Sequence, residues 1–273
     1  QDKTTVEVKR RGSLVWALTA TVVIAAFGLG YYFLFGPRPI ADPAGRKSLA
    51  VLPFVNSSQD PNAEYLSDGI TESVINNLSQ LSSLKVTSRN SAFRFKTDQA
   101  DLRNVASQLG VNSLVTGDIK QLGDKFIINV RLMDARDDSQ IWGNQYVRTS
   151  ADVIAAQNEI AQAIAQNLRL KLTSSETQLL SKRYTDNAAA WQLYQRGRFS
   201  IFKLTPPEVQ KGIGYFQQAI ELDPSYAIAY VGLSEAWRTT ALAVEMEPGE
   251  LFSKAKAAAK KSIEIDPLLA DGY

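Results

Sequence analysis

SLVTGDIKQLGDKFIINVRLMDARDDSQIWGNQYV, residues 113–147, decides the fold class. Phe126, Ile128, Val130 and Leu132 alternate with Ile127, Asn129, Arg131 and Met133, the period of a strand with one buried face. Residues 113–121 predict a strand before it, and Gly123-Asp124 a tight hairpin turn between the two. Residues 134–139 are polar and turn-forming. Residues 141–147 predict a further strand, with Trp142 and Tyr146 on one face.

Upstream, SLAVLPF (48–54) is a short apolar run that fits a buried strand. Residues 57–62 carry turn chemistry. Leu66, Ile70, Val74, Leu78 and Leu81 then step at helical spacing, and 84–88 predict a second strand. Leu102, Val105, Ala106 and Leu109 mark a short helix that Gly110 ends as a left-handed cap. Downstream, Ile154, Ile160, Ala161, Ile164 and Leu168 line a helix over 151–171, with Thr149 and Asp152 resembling a capping pair. The order β-α-β-α-β-β-β-α argues for one mixed sheet with helices packed on it.

Near the start, residues 12–37 hold no charged side chain and lie between Lys9-Arg10-Arg11 and Arg38. A helix over 13–35 would be roughly 34 Å long, enough to cross a hydrocarbon core of about 30 Å. This predicts one transmembrane helix. Lys3, Lys9, Arg10 and Arg11 before it, against Arg38, Arg46 and Lys47 after it, place the amino end in the cytoplasm. The expected location is the bacterial inner membrane, single-pass, with the main portion outside the cytoplasm. The expected division is a juxtamembrane tail (1–12), the span (13–35), a Pro/Gly-rich linker (36–47), an α/β domain (48–172) and a helical repeat region (185–273).

Composition excludes several chemistries. The 273 residues include no cysteine and no histidine, which rules out disulfides, thiolate or imidazole metal ligation and a Ser-His-Asp triad. The net charge is +2 with acids and bases interspersed, so no basic block points to nucleic acid. The chain begins with Gln, which reads as loss of a preceding segment.

A series of short motifs runs through the α/β part: SLAVLPF, then Glu64 to Glu72 (EYLSDGITE), Val86 to Ser91 (VTSRNS), Gln108-Leu109-Gly110-Val111, Val115 to Ile119 (VTGDI) and Asp138 to Trp142 (DSQIW). In this order they resemble the TolB amino-terminal or FlgO-like domain over nearly all of 48–172. The resemblance implies no catalytic residues. It also implies a setting: such domains follow a single span in bacterial signalling proteins whose cytoplasmic part is a serine/threonine kinase, a winged-helix regulator or a nucleotide cyclase.

Beyond residue 185 the chain repeats at an offset of 43, with Ile220 to Pro224 (IELDP) matching Ile263 to Pro267 (IEIDP), and Ala227 and Tyr230 matching Ala270 and Tyr273. Phe216-x-x-Ala219 ahead of Pro224, and Tyr230, Leu233, Ser234 and Trp237 after it, resemble tetratricopeptide helices with a longer turn around 243–249. Ala188 to Phe199 (AAAWQLYQRGRF) gives the first helix. The array stops inside a third unit, which reads as truncation.

Other signals have ordinary structural readings. Asp134, Asp137 and Asp138 lack the spacing of a calcium loop and suit a turn. Asp68, Thr71 and Glu72 fit a helix start. Ser181 and Lys182 are adjacent on a helix and do not face each other. No catalytic, metal or cofactor residue is assigned. The expected fold class is thus an α/β (α+β) mixed-sheet domain plus an all-α tetratricopeptide solenoid, preceded by one transmembrane helix. The expected function is protein or peptide recognition for signalling, with Tyr194, Tyr230 and Ser234 on the inner helices as partner-binding residues. The rivals are an envelope scaffold, a membrane-bound winged-helix regulator, and an enzyme using carboxylates, Lys, Ser or Tyr of 48–172.

Overall fold

The computed structural model describes residues 46–58, 60, 63–97, 101–149, 151–243 and 248–269. Among them a sheet domain comes first: β1 (Lys47–Val51), β2 (Val55–Asn56), α1 (Glu64–Ser79), β3 (Leu84–Val86), α2 (Arg89–Ala92) with a 3-10 turn (Phe93–Phe95), α3 (Leu102–Leu109), β4 (Ser113–Leu122), β5 (Lys125–Asp134), β6 (Ser139–Thr149) and α4 (Val153–Asn167). Helices α5 (Ser174–Ser181), α6 (Ala188–Ile201), α7 (Pro206–Leu222), α8 (Ala227–Ala243) and α9 (Pro248–Ile265) follow.

The strand order is β3-β1-β4-β5-β6, with β2 beside β4. β1 runs parallel to β3 and β4, while β4, β5 and β6 form an antiparallel meander. The alternation read in β5 holds: Phe126, Ile128, Val130 and Leu132 are buried, and they pack with the α1 stripe and α4 in one core. The other face is covered by α3, where Val105 and Ala106 meet Ala50, Leu52 and Leu114. Gly110 ends α3 in the left-handed region, φ 65°, as its lack of a Cβ allows.

Local departures have physical causes. The apolar run 48–54 is not one strand. Pro53 has no amide hydrogen to give a ladder, so β1 stops at Val51 and β2 begins at Val55. Between them Leu52 N donates to Val115 O at 2.9 Å, and Phe54 N turns to Thr71 Oγ1 at 2.9 Å. Thr149 and Asp152 do not cap α4 through a backbone amide; their side chains bond each other at 2.7 Å.

The fold class needs a correction. Among the described residues no helix is long and apolar enough to cross a membrane. The transmembrane helix expected over 13–35 lies outside the described residues, as do the tail and most of the linker. The supported class is a mixed α/β sheet domain followed by helices. The single-pass inner-membrane location rested on that span and is withdrawn with it.

α5 is tied back to the sheet domain by one carboxylate. Glu176 closes a capping box with Thr173, and its other oxygen accepts from the backbone and hydroxyl of Ser82, both at 2.9 Å. Hydrogen bonds from the Thr173 and Ser82 backbones, then from their hydroxyls, hold its pKa down to about 2 against an ordinary 4.5. A depressed folded-state pKa stabilises the fold fully above the unfolded value and is lost as pH falls through the folded one. Glu176→Gln should therefore lower the thermal midpoint at neutral pH. The gap to the parent chain should close between about pH 4.5 and pH 2; a gap that ignores pH would contradict this origin.

From α6 onward each helix packs on the next. Phe216 of α7 is fully buried. Its ring lies between Gly197 of α6 and Gly232 of α8: a Cβ added at either would come within 2.6 or 2.5 Å of it. Ala219 has 0% exposure and packs with Ala190, Tyr226 and Ala229. α6 also packs on α1, so the chain from Arg46 onward is one compact unit.

Candidate functional site

The charged residues of the 64–72 motif do not cap the helix. α1 begins at Ala63 with no side-chain cap, and Asp68, Thr71 and Glu72 are all buried in its body. Thr71 Oγ1 donates to Ser67 O at 2.7 Å while accepting from Phe54 N, which pins α1 to the β1–β2 break. Asp68 pairs with Lys96 at 2.6 Å. Burial raises the Asp68 pKa against the lowering pull of Lys96.

Glu72 is the centre of a larger cluster. One oxygen accepts from Arg89 Nε at 3.0 Å, and the other pairs with Arg198 Nη2 of α6. Arg198 Nη1 pairs with Glu235 of α8. Arg89 is presented by α2, whose start is fixed by Ser88 accepting from Ser91 N. Its guanidinium stacks 3.8 Å from the Phe93 ring centre and 3.4 Å from that of Phe202, and Arg198 lies 4.8 Å from Phe202. Phe202 therefore sits against two cations whose shared carboxylate is Glu72.

Side-chain exposures of 8% for Glu72, 13% for Arg198 and 15% for Arg89 make the cluster a buried one. Burial opposes the charge of both arginines. At Arg89 it prevails and lowers the pKa. At Arg198 the nearby Tyr194, Glu72 and Glu235 outweigh it, and the pKa is raised. Both stay cationic at neutral pH. Close by, Gly69 of α1 lets α6 approach, because a Cβ there would meet the Gln195 amide at 2.4 Å.

The cluster walls a cavity of about 400 Å³ between α1, α4, α6 and α8. Asn76, Asn77, Gln157, Asn158, Tyr194 and Gln195 line it with the charged groups, so it offers both donors and acceptors.

Tyr194, Tyr230 and Ser234 are not brought together as one exposed patch. Tyr194 lines the cavity, half-buried, with its ring 5.7 Å from Phe216 and 5.5 Å from Tyr226. Tyr230 donates from its hydroxyl to Pro224 O at 3.3 Å, and Ser234 is half-buried one turn on along α8. Asp134 bonds Arg136, and Asp137 accepts from Ser139 N at 3.0 Å, which is turn chemistry. Ser181 and Lys182 diverge: Ser181 Oγ donates to Thr177 O, while Lys182 reaches Asp266 at 2.5 Å.

Sequence reasoning missed Arg89, Arg198 and Glu235. A signal existed for one of them. Arg198 follows Trp191 by seven and Tyr194 by four, so it falls on the same helical face as two aromatic residues that pack inward.

Residues 45–169 match the family model described as "HilA/YgeH-like transcriptional regulator, second domain". A curated relative, "Putative adenylate cyclase 3" of Rhizobium meliloti (strain 1021), is 33% identical over 202 residues, covering 72% of this chain and 34% of the relative. The chain thus spans about one third of that relative's length. Among solved structures, TolB from Acinetobacter baumannii is 22% identical with a TM-score of 0.35, covering 45% of this chain and 28% of that one. Lipoprotein GNA1162 from Neisseria meningitidis is 16% identical with a TM-score of 0.34, covering 45% and 98%. The LpoB carboxyl-terminal domain from Escherichia coli is 14% identical with a TM-score of 0.31, covering 38% and 82%. These neighbours are TolB-like and lipoprotein-like, and at such scores no argument rests on them.

Proposed function

We propose that this chain is the recognition part of a larger bacterial signalling protein and carries out no chemistry itself. In this reading 48–172 is a TolB/FlgO-like domain. The region 185–273 is a tetratricopeptide-type array that receives a protein or peptide. The catalytic part of the whole protein is a nucleotide cyclase, favoured over a serine/threonine kinase or a winged-helix regulator because of the name the curated relative carries.

One observation carries the reading. The cavity between α1 and the inner helices is built from both parts of the chain, and Glu72 holds the two together through Arg89 and Arg198. A segment bound along α6 and α8 would touch the sheet domain as well, so binding and the position of the sheet domain are linked. Tyr194 contributes from the cavity wall. Tyr230 and Ser234 contribute from α8.

The test is recovery of a cross-linked partner by the chain and by a Tyr230→Ala/Ser234→Arg variant. The variant should lose the partner. A partner held equally by both would place the surface elsewhere. Turnover of a nucleotide, ester or peptide by the pure chain, abolished by one carboxylate or Lys change within 48–172, would establish an enzyme instead.

A further inference from the structure

The two edges of the sheet differ. β3 at one edge has only 3 residues, which is a common way to keep an edge from pairing. β6 at the other has 11 residues, and among the described residues no strand pairs with its outer side, away from β5. It contains no proline and one charge, Arg148, which is tied to Glu159 at 2.5 Å. Val147 is 51% exposed and Ile141 43% exposed, at either end of the strand. A bulge makes Ile141 the extra residue against Leu132 and Met133, so the regular ladder of β6 runs from Trp142 to Thr149.

We propose that β6 is the contact between two copies of this chain, paired antiparallel about Asn144 into one continuous sheet. A two-fold contact must be self-complementary: if residue i meets residue j, then j meets i. About Asn144 the strand meets that condition. Trp142 falls opposite Tyr146 twice, an aromatic pair on the helix-covered face. Gln145 falls opposite Gly143, beside the Gln140 amide that lies over that glycine, so polar groups meet there. Val147 comes up to the bulged Ile141. Arg148 falls opposite Gln140, so no like charges meet, and a net charge of +2 per chain gives little repulsion between copies. The contact lies on the sheet edge away from α6 and α8, so it is independent of the reading of the cavity as a recognition site.

The experiment is sedimentation of the full chain over a range of concentrations. Asn144 is exposed and meets its own copy at the two-fold, which makes it the discriminating position. Asn144→Lys and Asn144→Asp should each fold normally by circular dichroism and each weaken dimerisation about tenfold or more, because like charges then face each other. Mixed in equal amounts, the two variants should recover the dimer, since Lys then meets Asp. A parent chain that stays monomeric up to about 1 mM overturns the proposal. So does a dimer that neither variant weakens, or a mixture that fails to recover it.

Discussion

Glu72→Ala should cost the 46–269 unit about 3–5 kcal/mol, because it leaves two buried guanidinium groups without the carboxylate they share. The geometry supports the upper part of that range: both Glu72 oxygens are engaged, and all three side chains are at most 15% exposed. Arg198 would keep Glu235, whose side chain is 39% exposed and so is the weaker anchor. Arg89 would keep its aromatic neighbours and the more distant charge of Asp68. Removing a charge from each side is expected to be milder than the sum of the parts. Glu72→Ala combined with Arg198→Met should therefore be less destabilised than the two single losses added together. Urea unfolding of the four chains measures this. Strict additivity would mean that the ion pair contributes nothing.

The second large effect is in the sheet. Val130→Asp should cost several kcal/mol, since Val130 is 1% exposed among the apolar side chains of the core under α1 and α4. The same change at Val147, 51% exposed on the neighbouring strand, should cost less than about 1 kcal/mol. Thermal midpoints of the two variants decide it, and equal losses would undo the assignment of faces. Asn129, the adjacent position on β5, is a poor comparison: it donates to Asp118 and accepts from Gln145 in a polar ladder across three strands, so a carboxylate there would meet another.

The elements read most surely from sequence are those whose cause is local. The alternation of β5, the stripe from Leu66 to Leu81 and the cap at Gly110 each need only neighbours within a few residues, and each is found where expected. The split of 48–54 at Pro53 was also local, and it was missed because an apolar run hides a missing amide. The charge cluster was illegible for a different reason. Glu72 and Arg198 are 126 positions apart, and a charged residue in a helix ordinarily marks the wet face. Nothing in the pattern says that α1 and α6 turn those faces toward each other. The packing of α1 and α4 against α6 is hidden for the same reason, since it leaves no trace in a 43-residue offset. Tyr194 lines the cavity and also stacks with Phe216 and Tyr226.

Phe216 sets a gauge for the helical part. With bare backbone on either side at Gly197 and Gly232, the gap between α6 and α8 at this level is filled by one aromatic ring. A methyl at either glycine demands a smaller ring, and a smaller ring leaves a void unless a glycine grows. The three positions therefore drift together or not at all. A search of unrelated helical arrays for a large ring flanked in space by two glycines on neighbouring helices would find other chains that keep the same spacing, even where every other side chain has changed.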